Sequence, residues 1–263
     1  MTIKHVCIGI VTTAAALSGC GGGSAAAGVD FSLGSSTTTS TLADISPQGV
    51  YEGIASNGRY FNTLVLENDR YYIIYGNLFE NVFNVTGLIT GTGQSGNGNF
   101  SSADLKDFPA GGIPLAGTLS ASFTPGVSLT GVVSRSGLAL TFAGTAITNT
   151  RYIYAAPARL ADIAGTWSLS ALGGAPVSLE IAANGTFAAS SDGCAFTGGV
   201  APRASGKNVF DVTINFGPAP CVQANQTATG HAVTYLLGNG KRQLIAAATN
   251  AARTTATVLA GVR

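Results

Sequence analysis

Beyond Ala43 the chain alternates short apolar or threonine-rich runs with turn-forming dipeptides, at a spacing of about ten residues. Apolar residues recur at every second position in Val209-Phe210-Asp211-Val212-Thr213-Ile214-Asn215-Phe216, and again in Thr118-Leu119-Ser120-Ala121-Ser122-Phe123. That period belongs to a strand with one buried face. Between the runs stand Asn57-Gly58, Asn68-Asp69, Pro125-Gly126, Ser136-Gly137, Asn184-Gly185, Ser205-Gly206 and Asn239-Gly240. Such pairs supply the positive φ angles of tight hairpin turns. The clearest hairpin joins residues 232–237 to 243–247 through Asn239-Gly240. No segment after residue 20 sustains a helical period, apart from a turn around residues 158–163. The pattern predicts an all-β body.

A faint internal repeat adds organisation. Gly49, Tyr51, Asn68 and Tyr71 match Gly165, Trp167, Asn184 and Phe187 at one offset of 116 positions. The seam falls near Pro157, which cannot donate to a strand ladder. The expected architecture is two tandem small antiparallel β-barrel-like or β-meander domains, or two halves of one larger sheet. Closing a sheet removes its exposed edges.

The N-terminus reads as an export signal. Lys4 is the basic residue, 6–17 the apolar run, and Leu17-Ser18-Gly19-Cys20 the end. The run is shorter than the ~20 residues a membrane span needs. Leu17-Ser18-Gly19-Cys20 resembles the bacterial lipobox, which implies cleavage before Cys20 and acylation of its thiol. Gly21 stands where that resemblance would require Asp for inner-membrane retention, so it implies outer-membrane sorting, on the periplasmic or the surface face. Residues 21–43 are Gly-, Ala-, Ser- and Thr-rich and read as a flexible tether reaching roughly 25–30 Å. The expected division is 1–19 signal peptide, 20–43 lipidated Cys and tether, 44–157 first domain and 158–263 second domain.

Four cysteines, less Cys7 in the signal and Cys20 at the lipid, leave Cys194 and Cys221. In an oxidising compartment such a pair reads as a disulfide. Two thiols without neighbouring His would be an incomplete zinc site, the competing reading.

Composition narrows function more by exclusion. Charged residues are 10% of the chain and the formal net charge is +1, with no basic cluster, so nucleic acid is not an expected partner. One of the two His lies in the signal and His231 is the other, which reads as a polar strand residue or, against that, a general base. The glycine-rich run 91–98 lacks the Lys-Ser/Thr of a phosphate loop and reads as a hairpin loop. Asn97 and Asn99 have no acidic neighbours for calcium. Any two of Glu52, Glu67, Glu80 and Glu180 would have to converge for glycosidase chemistry. No metal, cofactor or enzymatic activity is expected.

The densest local signal is aromatic. Tyr51, Tyr60, Phe61, Tyr71, Tyr72, Tyr75, Phe79 and Phe83 precede Phe100 and Phe108. Tyrosine is enriched at recognition surfaces, so Tyr51, Tyr72 and Tyr75 are candidate ligand- or partner-binding residues, a barrel core being the other reading. Adjacent Tyr71 and Tyr72 must point to opposite faces of their strand.

Gly165-Thr166-Trp167 at the head of a meander resembles the Gly-x-Trp signature of the lipocalin-like (calycin) barrels. That resemblance implies a Trp closing the barrel base with a late Arg across it, a part for which Arg253 is the expected residue. A doubled β-rich body on a lipid tether also resembles surface lipoproteins of the transferrin-binding-protein type. Asp192-Gly193-Cys194-Ala195-Phe196-Thr197-Gly198 with Ala219-Pro220-Cys221 resembles a recurring pattern of uncharacterised proteobacterial lipoproteins. The function these readings imply is a binding module for a protein partner or a small apolar ligand. A structural envelope lipoprotein is the alternative, and a hydrolase a distant one.

Overall fold

Short strands with hairpin turns give this chain two closed barrels. The computed structural model describes residues 46–79 and 82–263. Cys20, Glu80 and the Phe79 side chain fall outside the described residues. The first barrel comprises β1 (Gly49–Ala55), β2 (Tyr60–Val65), β3 (Arg70–Phe79), β4 (Val82–Thr92), β5 (Gln94–Gly96), β6 (Asn99–Pro109), β7 (Leu115–Thr124), β8 (Ser128–Arg135) and β9 (Leu138–Ala146). Every strand pairs antiparallel. β1 closes on β9 with Gly53 opposite Gly144, and β4 closes on β6 with Leu88 opposite Phe108. β5 pairs only with β6, outside the ring of eight strands. The run 91–98 is therefore the end of β4, the short β5 and a turn, rather than a loop alone.

A single helical turn, α1 (Leu160–Ile163), leads into the second barrel. This holds β10 (Gly165–Ala171), β11 (Pro176–Ile181), β12 (Thr186–Ser191), β13 (Cys194–Pro202), β14 (Phe210–Phe216), β15 (Thr227–Leu236), β16 (Arg242–Thr249) and β17 (Ala256–Val262). It is an uninterrupted meander closed by β10 on β17, Leu169 opposite Gly261. All seven turn dipeptides sit between consecutive strands.

The two barrels repeat each other in detail. Tyr51 Oη donates to the Pro47 carbonyl at 2.9 Å, and Trp167 Nε1 donates to the Ile163 carbonyl at 2.7 Å. Asn68 Oδ1 accepts from the Arg70 amide and Asn184 Oδ1 from the Thr186 amide, the same Asx turn in both hairpins. Gly49 and Gly165 hold φ of 147° and 111°, a conformation that side chains disfavour, so the Gly-x-aromatic start is set by the backbone.

Three cores result. Tyr51, Phe61, Tyr71, Ile73, Phe100 and Leu129 fill the first barrel, and Trp167, Phe187, Phe196, Phe210 and Ile214 the second. The third lies between barrels. There Leu64, Tyr72, Ile74 and Leu88 from the outer face of one meet Val233, Tyr235, Ile245 and Val258 from the outer face of the other. Small Ala247 and Ala260 belong to the same seam. β3 and β16 are consequently buried on both faces, which explains apolar runs without alternation in Ile73-Ile74-Tyr75 and in residues 244–248.

Candidate ligand-binding site

The second barrel has a plugged end and an open end. At the plugged end Trp167 is buried and Arg263 lies over its ring, 4.1 Å from the centroid. Arg263 Nη1 also donates to the Ala164 carbonyl at 2.6 Å. This corrects the expectation for Arg253. That residue sits in the β16–β17 turn at the opposite end of the barrel, where it pairs with Asp104 of β6 at 2.6 Å. The register decides it: β17 runs antiparallel to β10, which brings the last residues of the chain, and not the β16–β17 turn, to Trp167.

At the open end a cavity of about 440 Å³ is lined chiefly by Leu172, Val177, Phe196, Phe216, Val258 and Leu259. The volume is within the ~300–1,000 Å³ typical of small-molecule sites. Its roof is the β14–β15 connection, residues 217–226. One side of that strap is fixed by the Cys194–Cys221 disulfide, with Cα atoms 4.5 Å apart. The other side is held by Gln223, whose Nε2 donates to Thr257 Oγ1 at 2.7 Å and whose Oε1 accepts from Thr255 Oγ1 at 2.9 Å. Val222 stands at the cavity rim, 98% exposed. The few polar groups, Gln223, Thr257, Ser191 and Asp192, lie among apolar walls. The arrangement suits a compact apolar molecule with one polar end.

The first barrel leaves far less room. Its open end holds a cavity of about 50 Å³ beside Arg59, Phe61, Tyr75, Arg135 and Phe142. Below it Asp107 is wholly buried, accepts from Tyr75 Oη at 2.8 Å and contacts Arg135 Nη1. Burial pushes the Asp107 carboxyl above its ordinary range despite Tyr75 and Arg135. Arg135 Nε is buried without an acceptor.

The three tyrosines singled out by composition are buried. Tyr51 lies at the base of the first barrel, and burial lifts its hydroxyl to about 12. Tyr75 is inside that barrel on Asp107. Tyr72 faces outward, opposite to Tyr71 as the strand period requires, yet the second barrel covers it. The structure does not bring the three together at one surface. The residues around the second cavity were not singled out from sequence, because Val177, Phe196 and Phe216 read there as ordinary core positions. The cysteine pair was the one legible signal for the strap.

The remaining expected groups are engaged elsewhere. Glu52 pairs with Arg151 at 2.6 Å and Glu67 with Arg203 at 2.8 Å, while Glu180 is exposed on β11. His231 lies across the seam from Tyr72, Nδ1 to Oη 2.9 Å, with Arg203 Nη1 3.0 Å and Asp211 Oδ1 3.2 Å from Nε2. Burial, then the Arg203 charge, lowers His231 to about 4 against the opposing pull of Asp211. It is a neutral structural residue at pH 7. No cluster of three His, Cys, Asp or Glu suited to a metal occurs among the described residues. No helix among them is long and apolar enough to cross a membrane.

No family model matches the chain, and no curated protein matches it either. Among solved structures it is similar to Aeromonas veronii immune modulator A, at 11% identity and a TM-score of 0.32, over 83% of this chain and 94% of that one. It is also similar to isotype 1 transferrin binding protein B from serogroup B Neisseria meningitidis, at 11% identity and a TM-score of 0.27. That match covers 82% of this chain and 43% of the other.

Proposed function

We propose that the chain is the binding module of a lipid-anchored bacterial envelope protein, and that it is not an enzyme. In this reading Cys20 carries the acyl anchor in the outer membrane and residues 21–43 tether the body. The open end of the second barrel then receives a small apolar ligand. The observation that carries the reading is the asymmetry between the barrels. The first holds about 50 Å³ at its mouth, whereas the second keeps about 440 Å³ under a strap fixed by a disulfide. An open concavity of this size with mostly apolar walls is a candidate seat for a ligand. The filled first barrel favours a second, structural role for that half, as the partner that buries the outer face of β15–β17.

The test is a titration of the mature chain carrying Cys20→Ser with an environment-sensitive apolar fluorophore. Ala175→Trp, which places an indole in the cavity, should weaken binding on the order of tenfold or more without lowering the melting temperature. Equal binding by both proteins would contradict this placement of the ligand.

A further inference from the structure

Between the barrels, away from the apolar cavity, lies a second concavity of about 120 Å³ with a different chemistry. Its lining comes from both halves. β3 and β4 contribute Arg70, Tyr72 and Thr92, while β15, β16 and the β16–β17 turn contribute Thr229, Thr249 and Arg253. Three of these six side chains are hydroxyl-bearing threonines and one is a tyrosine. Asp104 is the one acid of the lining, and it is already neutralised by Arg253, whose Nη1 reaches both carboxylate oxygens at 2.6 and 2.7 Å. Arg253 Nη2 is also spent, on the Thr90 and Asp104 carbonyls, both at 2.8 Å.

Arg70 differs. No carboxylate lies within ion-pair range of it among the described residues, and it is exposed in the cleft. Its charge is nonetheless felt inward, at the Tyr72 hydroxyl and at His231. The Tyr72 hydroxyl is already engaged with His231 Nδ1 at 2.9 Å, so it is not counted among the open groups of the cleft. The cleft therefore presents a guanidinium without a carboxylate partner and three threonine hydroxyls, around a net positive lining. Donors in excess around an unpaired guanidinium match an oxyanion, for which Arg offers a planar fork of N–H groups.

We infer that this inter-barrel cleft binds a phosphate-type oxyanion, held by Arg70 with the threonine hydroxyls of both barrels. A cleft of about 120 Å³ has room for a phosphate group. The same chemistry is offered by free phosphate and by a phosphomonoester headgroup. Because the site takes residues from both barrels, its ligand would stabilise their pairing by mass action. It is independent of the apolar cavity and stands or falls without it.

The experiment is calorimetric titration of the mature chain carrying Cys20→Ser with inorganic phosphate, at constant ionic strength set by chloride. A parallel arm measures sedimentation with phosphatidic acid vesicles against phosphatidylcholine vesicles. Saturable binding of phosphate identifies a free anion, and binding confined to phosphatidic acid vesicles identifies a headgroup; each supports the site. Arg70→Gln should weaken either on the order of tenfold, and Thr249→Val should weaken it less, both with unchanged folding by circular dichroism. Absence of binding in both arms would overturn the inference, as would wild-type affinity in Arg70→Gln.

Discussion

Tyr72 of β3 and His231 of β15 meet across the seam between the two barrels, hydroxyl to Nδ1 at 2.9 Å. Around them Arg203 spans Glu67 of the first barrel and Asp211 of the second, at 2.8 and 2.7 Å. Arg203 Nη1 and Asp211 Oδ1 both approach His231 Nε2, at 3.0 and 3.2 Å, so a cation and an anion meet at one edge of the ring. The seam thus has an apolar centre with a charged clasp built on a neutral histidine.

That clasp sets a pH dependence. His231 titrates near 4 in the folded chain against 6.5 when unfolded, so the unfolded state binds more protons between those values. Stability is therefore full above about pH 6.5 and declines as pH falls toward 4, by up to roughly 3 kcal/mol from this residue. Urea unfolding at pH 7 and pH 4.5 measures it. In His231→Gln the drop between the two pH values should shrink, and an unchanged drop would show that other groups carry it.

The plug at the base of the second barrel gives a spectroscopic prediction. Trp167 is the one Trp of the chain, so its emission reports on the plug, where Arg263 covers the ring. Arg263→Ala should red-shift that emission and cost about 0.5–1 kcal/mol. Arg253→Ala should leave the emission in place, because its contacts are to Asp104 and Thr90.

The strap depends on its covalent end. The Cys194–Cys221 bridge closes a separation of 27 residues, and the chain-entropy relation gives roughly 3.5 kcal/mol for such a loop. Cys194→Ala/Cys221→Ala should lower the denaturation midpoint accordingly. A reductant should reproduce the loss in the wild-type protein and do nothing further in the double variant.

Anchoring is tested apart from the fold. Cys20→Ser should move the protein from the membrane pellet to the soluble envelope fraction after a salt wash. Retention in the pellet would remove the lipid anchor from the proposal.

Much of this architecture is legible in the sequence. The turn dipeptides, from Asn57-Gly58 to Asn239-Gly240, marked hairpins because their backbone needs are local. The Gly-x-aromatic repeat at Tyr51 and Trp167 was legible for the same reason, since each ring bonds a carbonyl four residues back. Arg263 could not be told from Arg253, because the choice rests on how β17 pairs with β10, a contact distant in sequence. Tyr72 was misleading for a related reason. The strand period places it outside its barrel, but only the second barrel's position shows that the outside is covered. The cavity was invisible because Val177, Phe196 and Phe216 have the same pattern whether they touch one another or line a space.

In the proposed reading the open end of the second barrel holds a small apolar molecule. Native mass spectrometry of the protein, extracted from the envelope in mild detergent, tests it most directly. One adduct of a small organic molecule per chain is expected, displaced by the apolar fluorophore and missing from Ala175→Trp. An adduct-free chain that also fails to bind the fluorophore, or an adduct retained in full by Ala175→Trp, would contradict it.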